Sequence, residues 1–219
     1  MKLNCFSGTL SSISKAVSNS YHLARGICML SRIHAPIVSI FGSACDKKDG
    51  EYEQAAYALG KKFVENNISV LTGGGPGTMI DANCGAQSAV KKKPKKIWSA
   101  GIGVIGVDDD FDTKCQTFLA VNSFSVRKIL LTRYSCGFVI FPGGIGTVDE
   151  FFELLNGFKH DKIERCPVVL FGSEYWKKLT EWYHDAIAAG FINKKHHDFF
   201  IVTDDVQQAF DSVHKYCAK

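Results

Sequence analysis

The run Gly137-Phe138-Val139-Ile140-Phe141-Pro142-Gly143-Gly144-Ile145-Gly146-Thr147-Val148-Asp149-Glu150 decides how this chain folds. Residues 137–141 form an apolar run, the pattern of a parallel strand buried on both faces. Phe151-Phe152-Glu153-Leu154-Leu155 then continues as a helix. Three glycines and a threonine therefore stand where a strand turns into a helix. The first amides of a helix have no intrahelical partner and its dipole is positive there, so an anion such as phosphate is favoured. Glycine lets the backbone come close to such a ligand. Glu150 lies about one turn into the same helix, where a site that only held phosphate gains nothing from a negative charge. The stretch predicts a pocket in which phosphate binding and carboxylate chemistry meet.

The same strand-to-helix alternation extends in both directions. Strands are predicted over 37–41, 69–71, 103–107, 138–141, 168–171 and 200–202. Helices are predicted over 52–66, 79–90, 125–134, 148–158, 175–189 and 206–216. Repeated alternation with short apolar strands implies an α/β fold: a Rossmann-like, doubly wound parallel sheet with helices on both faces. Ligands in such sheets bind outside the carboxyl ends of the strands, near the switch point. The glycines cluster there: Gly42 after the first strand, Gly73-Gly74-Gly75-Pro76-Gly77 after the second, and Gly143, Gly144 and Gly146.

With 219 residues, the chain is expected to form a single nucleotide-binding domain over 36–219, preceded by an N-terminal helical extension over 1–35 that packs on it. A net charge of +4 is too mild to imply nucleic acid, and no apolar run reaches bilayer-spanning length. The first 45 residues hold no acid and many serines, a composition shared with transit peptides. An amphipathic helix from about Ser12 to Ser31, leading into the first strand, is the preferred reading. The eight cysteines form no CxxC pair and no zinc-like cluster, so free thiols in a reducing, cytoplasmic setting are expected. The run Lys91-Lys92-Lys93-Pro94-Lys95-Lys96 and the acids Asp108, Asp109, Asp110 and Asp112 read as solvated loops.

Two glycine turns at one sheet edge carry more weight than either alone. Neither is GxGxxG and no Walker lysine follows, so a mononucleotide fits better than a dinucleotide or a nucleoside triphosphate. Arg127 and Lys128 fall on the helix before the Gly137 strand, with Arg133 further along. Spacing alone fits equally well a basic helix face and an arginine reaching into the crevice.

Ser125-Val126-Arg127-Lys128, Arg133 and Pro142-Gly143-Gly144-Ile145-Gly146-Thr147-Val148-Asp149-Glu150 together resemble the LOG family. Its members are cytokinin riboside 5′-monophosphate phosphoribohydrolases, formerly mislabelled lysine decarboxylases. The family pattern is an Arg-Lys pair followed by PGGxGTxxE. Thr72 to Gly77 is similar to the family's other glycine turn, and Phe41-Gly42-Ser43-Ala44 to its first strand end. The resemblance covers about residues 21–190.

It implies hydrolysis of the N-glycosidic bond of a purine or cytokinin nucleoside 5′-monophosphate, giving free base and ribose 5-phosphate. Carried over by position, Glu150 and Arg127 are the catalytic pair. Gly143, Gly144, Gly146, Thr147, Gly42, Ser43, Gly74, Gly75 and Lys128 are the phosphate- and substrate-binding residues. No cofactor and no metal is expected, and a homodimer with its sites near the interface is implied. Neither nucleic acid nor a membrane is an expected partner. A pyridoxal-dependent decarboxylase needs a Schiff-base lysine, and nothing marks a lysine in that role. Related folds with similar glycine turns carry a phosphorylated pterin such as molybdenum cofactor, so the alternative is a non-catalytic carrier of that kind or of a nucleotide.

Two positions depart from the family. Many relatives have arginine where this chain has Cys45, so a phosphate or base contact there is not carried over. Relatives often read GPGxMEA where this chain reads Gly75-Pro76-Gly77-Thr78-Met79-Ile80-Asp81-Ala82. The acid is displaced by one residue, which turns it by about 100° on a helix. Both a neutral change at a helix surface and an altered base preference are consistent with that shift.

Overall fold

Successive strand residues point to opposite faces of a sheet, and here the two faces bury two separate cores. In β1 (Ile37–Phe41), Ile37 and Phe41 enter one core while Val38 and Ile40 enter the other. In β5 (Gly137–Ile140), Phe138 and Ile140 divide from Val139 in the same way. In β6 (Val168–Phe171), Val168 and Leu170 divide from Val169 and Phe171. The first core is roofed by α1 (Lys2–Leu30), α4 (Phe124–Thr132), α5 (Ile145–Lys159) and α6 (Ser173–Ala188). The second is roofed by α2 (Glu51–Glu65), α3 (Thr78–Val90) and α7 (Val206–Cys217). Helices on both faces of a parallel sheet make the fold Rossmann-like, as the alternation predicts.

The remaining strands are β2 (Ser69–Thr72), β3 (Ser99–Val104), β4 (Thr117–Val121) and β7 (Ile201–Thr203). The seven-stranded sheet runs β4-β3-β2-β1-β5-β6-β7, with every pairing parallel. The chain winds outward from β1 to β4, then returns to β5 beside β1 and winds the other way. The switch point therefore lies between the carboxyl ends of β1 and β5, where Phe41 is in register with Ile140.

This computed structural model describes residues 2–34, 36–44, 50–90, 98–107 and 116–217, with the backbone alone over 2–10. Cys45, Cys115, the lysine run at 91–96 and the aspartates at 108–112 lie outside the described residues. Three expectations need correction. The third strand occupies Ser99–Val104 rather than 103–107, because its first half is built of small residues that give little apolar signal. β4 has no counterpart among the predicted strands. And Cys136 and Cys217 are joined in a disulfide with Cα atoms 5.5 Å apart, because α7 packs back across β5. Among the described cysteines with free thiols, Cys28 is exposed and Cys166 buried. No helix among the described residues is long and apolar enough to cross a membrane.

Candidate functional site

Three glycine turns meet at the switch point, and Ser43 joins them. Its amide donates to Pro142 O at 3.0 Å, and its carbonyl accepts from the Thr78 amide at 3.2 Å. Gly77 adopts φ 66°, and a Cβ there would lie 2.5 Å from Ser43 O. Both constraints call for glycine. Gly42 is also tightly packed, with Thr78 side-chain atoms 2.8 Å from where its Cβ would be.

The turn into α5 contains glycines of two kinds. A Cβ on Gly143 would lie 2.1 Å from Thr147 Oγ1, so Gly143 makes room for the buried Thr147 side chain to tuck under the turn. Gly144 and Gly146 are exposed, and a Cβ on either would meet nothing within 4 Å. Their bareness serves no packing need of the fold. It leaves the amino end of α5, which begins at Ile145 with Gly144 as its cap, open to close approach. The Tyr175 hydroxyl, from the first turn of α6, donates to Gly143 O and holds the turn from outside.

The β2–α3 turn is held from below by a buried polar chain. Thr72 Oγ1 accepts from the Gly74 amide at 3.0 Å and from Asn83 Nδ2 at 2.7 Å, while Asn83 Oδ1 accepts from Ser99 Oγ at 3.0 Å. Gly74 has φ 71° and sits against the Phe118 ring, and Gly75 is buried beside it.

Gly73 stands against Arg127: its absent Cβ would lie 1.9 Å from Arg127 Nη2. The Arg127 guanidinium runs from α4 over the sheet, its Nε donating to Ile102 O at 3.0 Å and its Nη2 lying 4.0 Å from Met79 Sδ. Glu150 is half-buried in the second turn of α5. Lys128 turns away from the glycine turns toward α5, with its Nζ 2.7 Å from Asp149 Oδ2 and 3.2 Å from Glu153 Oε2. Burial alone would lower the Lys128 pKa, but these two carboxylates outweigh it and hold the ammonium above its ordinary value. Lys128 and Asp149 are the sequence neighbours of Arg127 and Glu150. Their ion pair thus ties α4 to α5 at the level of the candidate pair.

Beside the turns lies a cavity of about 510 Å³, lined by Ser43, Thr78, Pro142, Gly143 and Gly144, with Glu51, Tyr52, Glu53 and Tyr175 on its other walls. The Tyr52 hydroxyl is pushed above its ordinary pKa, by burial first and then by Glu51, Asp204 and Glu174. Among the residues expected at the site, Gly42, Ser43, Gly143 and Gly144 come together around the switch point, with Gly146 and Thr147 in the first turn of α5. Arg127 lies across the β2–α3 turn, and Lys128 is drawn off to the carboxylates. Sequence reading places Gly73 in the glycine turn without a role of its own and misses Thr78, Tyr52 and Tyr175. Thr78 follows directly on that turn, whereas nothing local marks the two tyrosines. Ile80 and Asp81 are both half-buried in the first turn of α3. Among the described residues, no group of three or more His, Cys, Asp or Glu stands together as metal ligands would.

Known proteins agree with this architecture. The chain is 24% identical over 182 residues to a cytokinin riboside 5′-monophosphate phosphoribohydrolase of Rhodococcoides fascians, covering 80% of this chain and 88% of that protein. It is 28% identical over 185 residues to a probable enzyme of the same name from Oryza sativa subsp. japonica, covering 82% and 78%. The molybdenum cofactor carrier protein of Chlamydomonas reinhardtii superposes with a TM-score of 0.57 at 23% identity, covering 84% of this chain and 99% of that one, a likeness of fold. The family model described as "Possible lysine decarboxylase" matches residues 82–213, more than half of the chain, so the chain belongs to that family, the LOG family whose Arg-Lys and PGGxGTxxE residues it carries.

Proposed function

We propose that the protein hydrolyses the N-glycosidic bond of a nucleoside 5′-monophosphate, releasing free base and ribose 5-phosphate. The observation that carries this reading is the bare amino end of α5, where Gly144 and Gly146 face open space with Glu150 in the next turn of the same helix. The relatives' named activity supports the same chemistry.

In this reading the 5′-phosphate sits on the Gly144–Thr147 amides, in the positive end of the helix dipole. That distal grip sets the ribose against Glu150. As the bond between C1′ and the base nitrogen lengthens, positive charge builds on the ribose, and the carboxylate stabilises it. Glu150 accepts a proton from the attacking water as the water oxygen bonds to C1′, the C1′–base bond breaks with its electron pair on the base nitrogen, that nitrogen takes up a proton from solvent, and Glu150 releases its own to solvent. Arg127 contributes a cation that contacts the ribose or phosphate. Lys128 acts by holding α4 on α5. The reading includes a homodimer. Ile145 is 90% exposed at the start of α5, next to half-buried Val148 and Phe152, an apolar rim that a second copy would cover.

The test is to incubate the purified protein with AMP and with isopentenyladenosine monophosphate and follow free base by chromatography. Base release by wild type, lost by at least about 100-fold in Glu150→Ala with nucleotide binding retained, is the expected result. The rate ratio between the two nucleotides then separates a broad purine substrate range from a cytokinin-specific one. Binding without base release from either nucleotide would overturn the hydrolase reading in favour of a carrier.

A further inference from the structure

The N-terminal helix has two faces, and the described fold uses only one. From Ser18 onward α1 lies on the domain. Leu30 is buried, Leu23 and Met29 pack against the core, and Asn122 Nδ2 donates to Ser18 Oγ at 2.6 Å. Gly26 brings α1 so close to α4 that a Cβ there would lie 2.2 Å from Leu130 Cδ1. Before Ser18 this changes. Every residue from Ser11 to Val17 is exposed, so this part of α1 stands off the domain surface.

The outward face is apolar. Ile13 is 56% exposed, Val17 65%, Tyr21 59% and Ile27 41%. Ile13, Val17, Ser20, Ala24 and Ile27 are separated by alternating steps of four and three, and in the sequence Leu10, Phe6 and Leu3 continue the same rhythm. That is a heptad repeat, the narrow seam along which one helix packs on another. We propose that this seam joins α1 of one copy of the chain to α1 of a second copy.

Three features favour a second copy as the occupant. A helix lying on lipid presents a broad apolar face opposite a polar face rich in lysine and arginine. Here the seam is two positions wide, and much of the surface beside it is serine: Ser11, Ser12, Ser14 and Ser18. Charges flanking a seam select a partner of opposite charge. The described residues on this seam's flanks, Ser14, Ala16, Tyr21 and Leu23, carry none, while Lys15 and Arg25 fall away from it. Two identical seams therefore meet without like-charge repulsion. Finally, a short helix in water is marginal on its own, so the arm before Ser18 gains its helical order from whatever covers it.

This deepens the homodimer proposed above and is independent of the hydrolase chemistry. Sedimentation equilibrium of the full chain tests it, comparing wild type with Ile13→Glu/Val17→Glu and with the off-seam control Lys15→Glu. The expected result is a wild-type dimer whose Kd rises at least 10-fold in the double variant and is unchanged in the control. A wild-type dimer with the same Kd in the double variant would overturn the seam while leaving the homodimer standing. An equal loss in Lys15→Glu would assign the effect to charge and overturn it as well. A wild-type monomer would overturn both. In that case, flotation with vesicles of phosphatidylserine and phosphatidylcholine, lost in the double variant, would identify the seam as a lipid-binding face.

Discussion

Gly73 and Gly144 are both glycines in turns at the switch point, but the structure uses their missing side chains differently, and that difference can be measured. At Gly73 a methyl group would run into the Arg127 guanidinium and Met79 Sδ, the far ends of two flexible side chains. Gly73→Ala should therefore leave the fold standing while displacing Arg127, and a displacement of about 1 Å at a reacting centre costs on the order of 100-fold in rate. At Gly144 the methyl group would meet nothing, and φ −82° is open to alanine. Gly144→Ala should hold stability within about 0.5 kcal/mol yet raise KM, because the methyl occupies the space a phosphate needs. Melting curves and steady-state kinetics on the two variants check both. An unchanged KM in Gly144→Ala would remove the phosphate from this turn. At this scale the sequence was legible where residue type and position coincide, as in the Pro142 turn. It was not legible at Tyr175, which sits 32 residues from its Gly143 partner and meets it only through the return of α6 to the sheet edge.

At the scale of elements, α2 and α3 pack backbone against backbone. A Cβ on Gly60 would lie 2.0 Å from Ala82 O, and one on Gly85 would lie 1.9 Å from Tyr57 O. Two effects oppose one another in Gly85→Ala. Alanine favours the helix over glycine by about 1 kcal/mol, while overpacking costs about 1–3 kcal/mol. The atom struck belongs to the backbone, so no rotamer relieves it, and the clash should win. A fall in urea midpoint is expected; a rise would mean that the helices separate freely. The α4–α5 tie through Lys128 has a pH signature. A lysine whose folded pKa is raised contributes stability that is fully present below about 10.5 and is lost as pH climbs through the folded value. The carboxylates are half exposed, so the contribution is below about 1 kcal/mol. Lys128→Met should flatten the alkaline limb of the stability curve. Most elements were legible from apolar runs and helix-like stretches between glycine turns. β4 was not: its Thr117–Val121 run follows an acid-rich stretch, although it pairs in parallel with β3 across residues 105–116.

At the scale of the molecule, the Cys136–Cys217 bond closes a loop with a sequence separation of 81 residues. That loop holds β5, the Pro142 turn, β6, β7 and the helices between them. Composition predicts free thiols, and no local pattern could have paired these two; they meet because α7 crosses the sheet so closely that a Cβ on Gly137 would lie 2.7 Å from Val213 Cγ1. Closing so long a loop restricts the unfolded chain, which is worth about 2–4 kcal/mol. Adding a reductant should lower stability by that amount, and Cys217→Ser should do the same without reductant. Base release under native conditions should stay unchanged, because the bridge lies at the amino end of β5 and the Pro142 turn at its carboxyl end. Alkylation with iodoacetamide gives an independent count. Cys28 is exposed and should react at once, whereas burial, with a smaller contribution from Glu164, pushes the Cys166 thiol up to about 12, so it should stay silent in the folded protein. Cys136 and Cys217 should be labelled only after reduction. If both take up the reagent without reductant and the melting temperature ignores it, the thiols are free and α7 is held by packing alone.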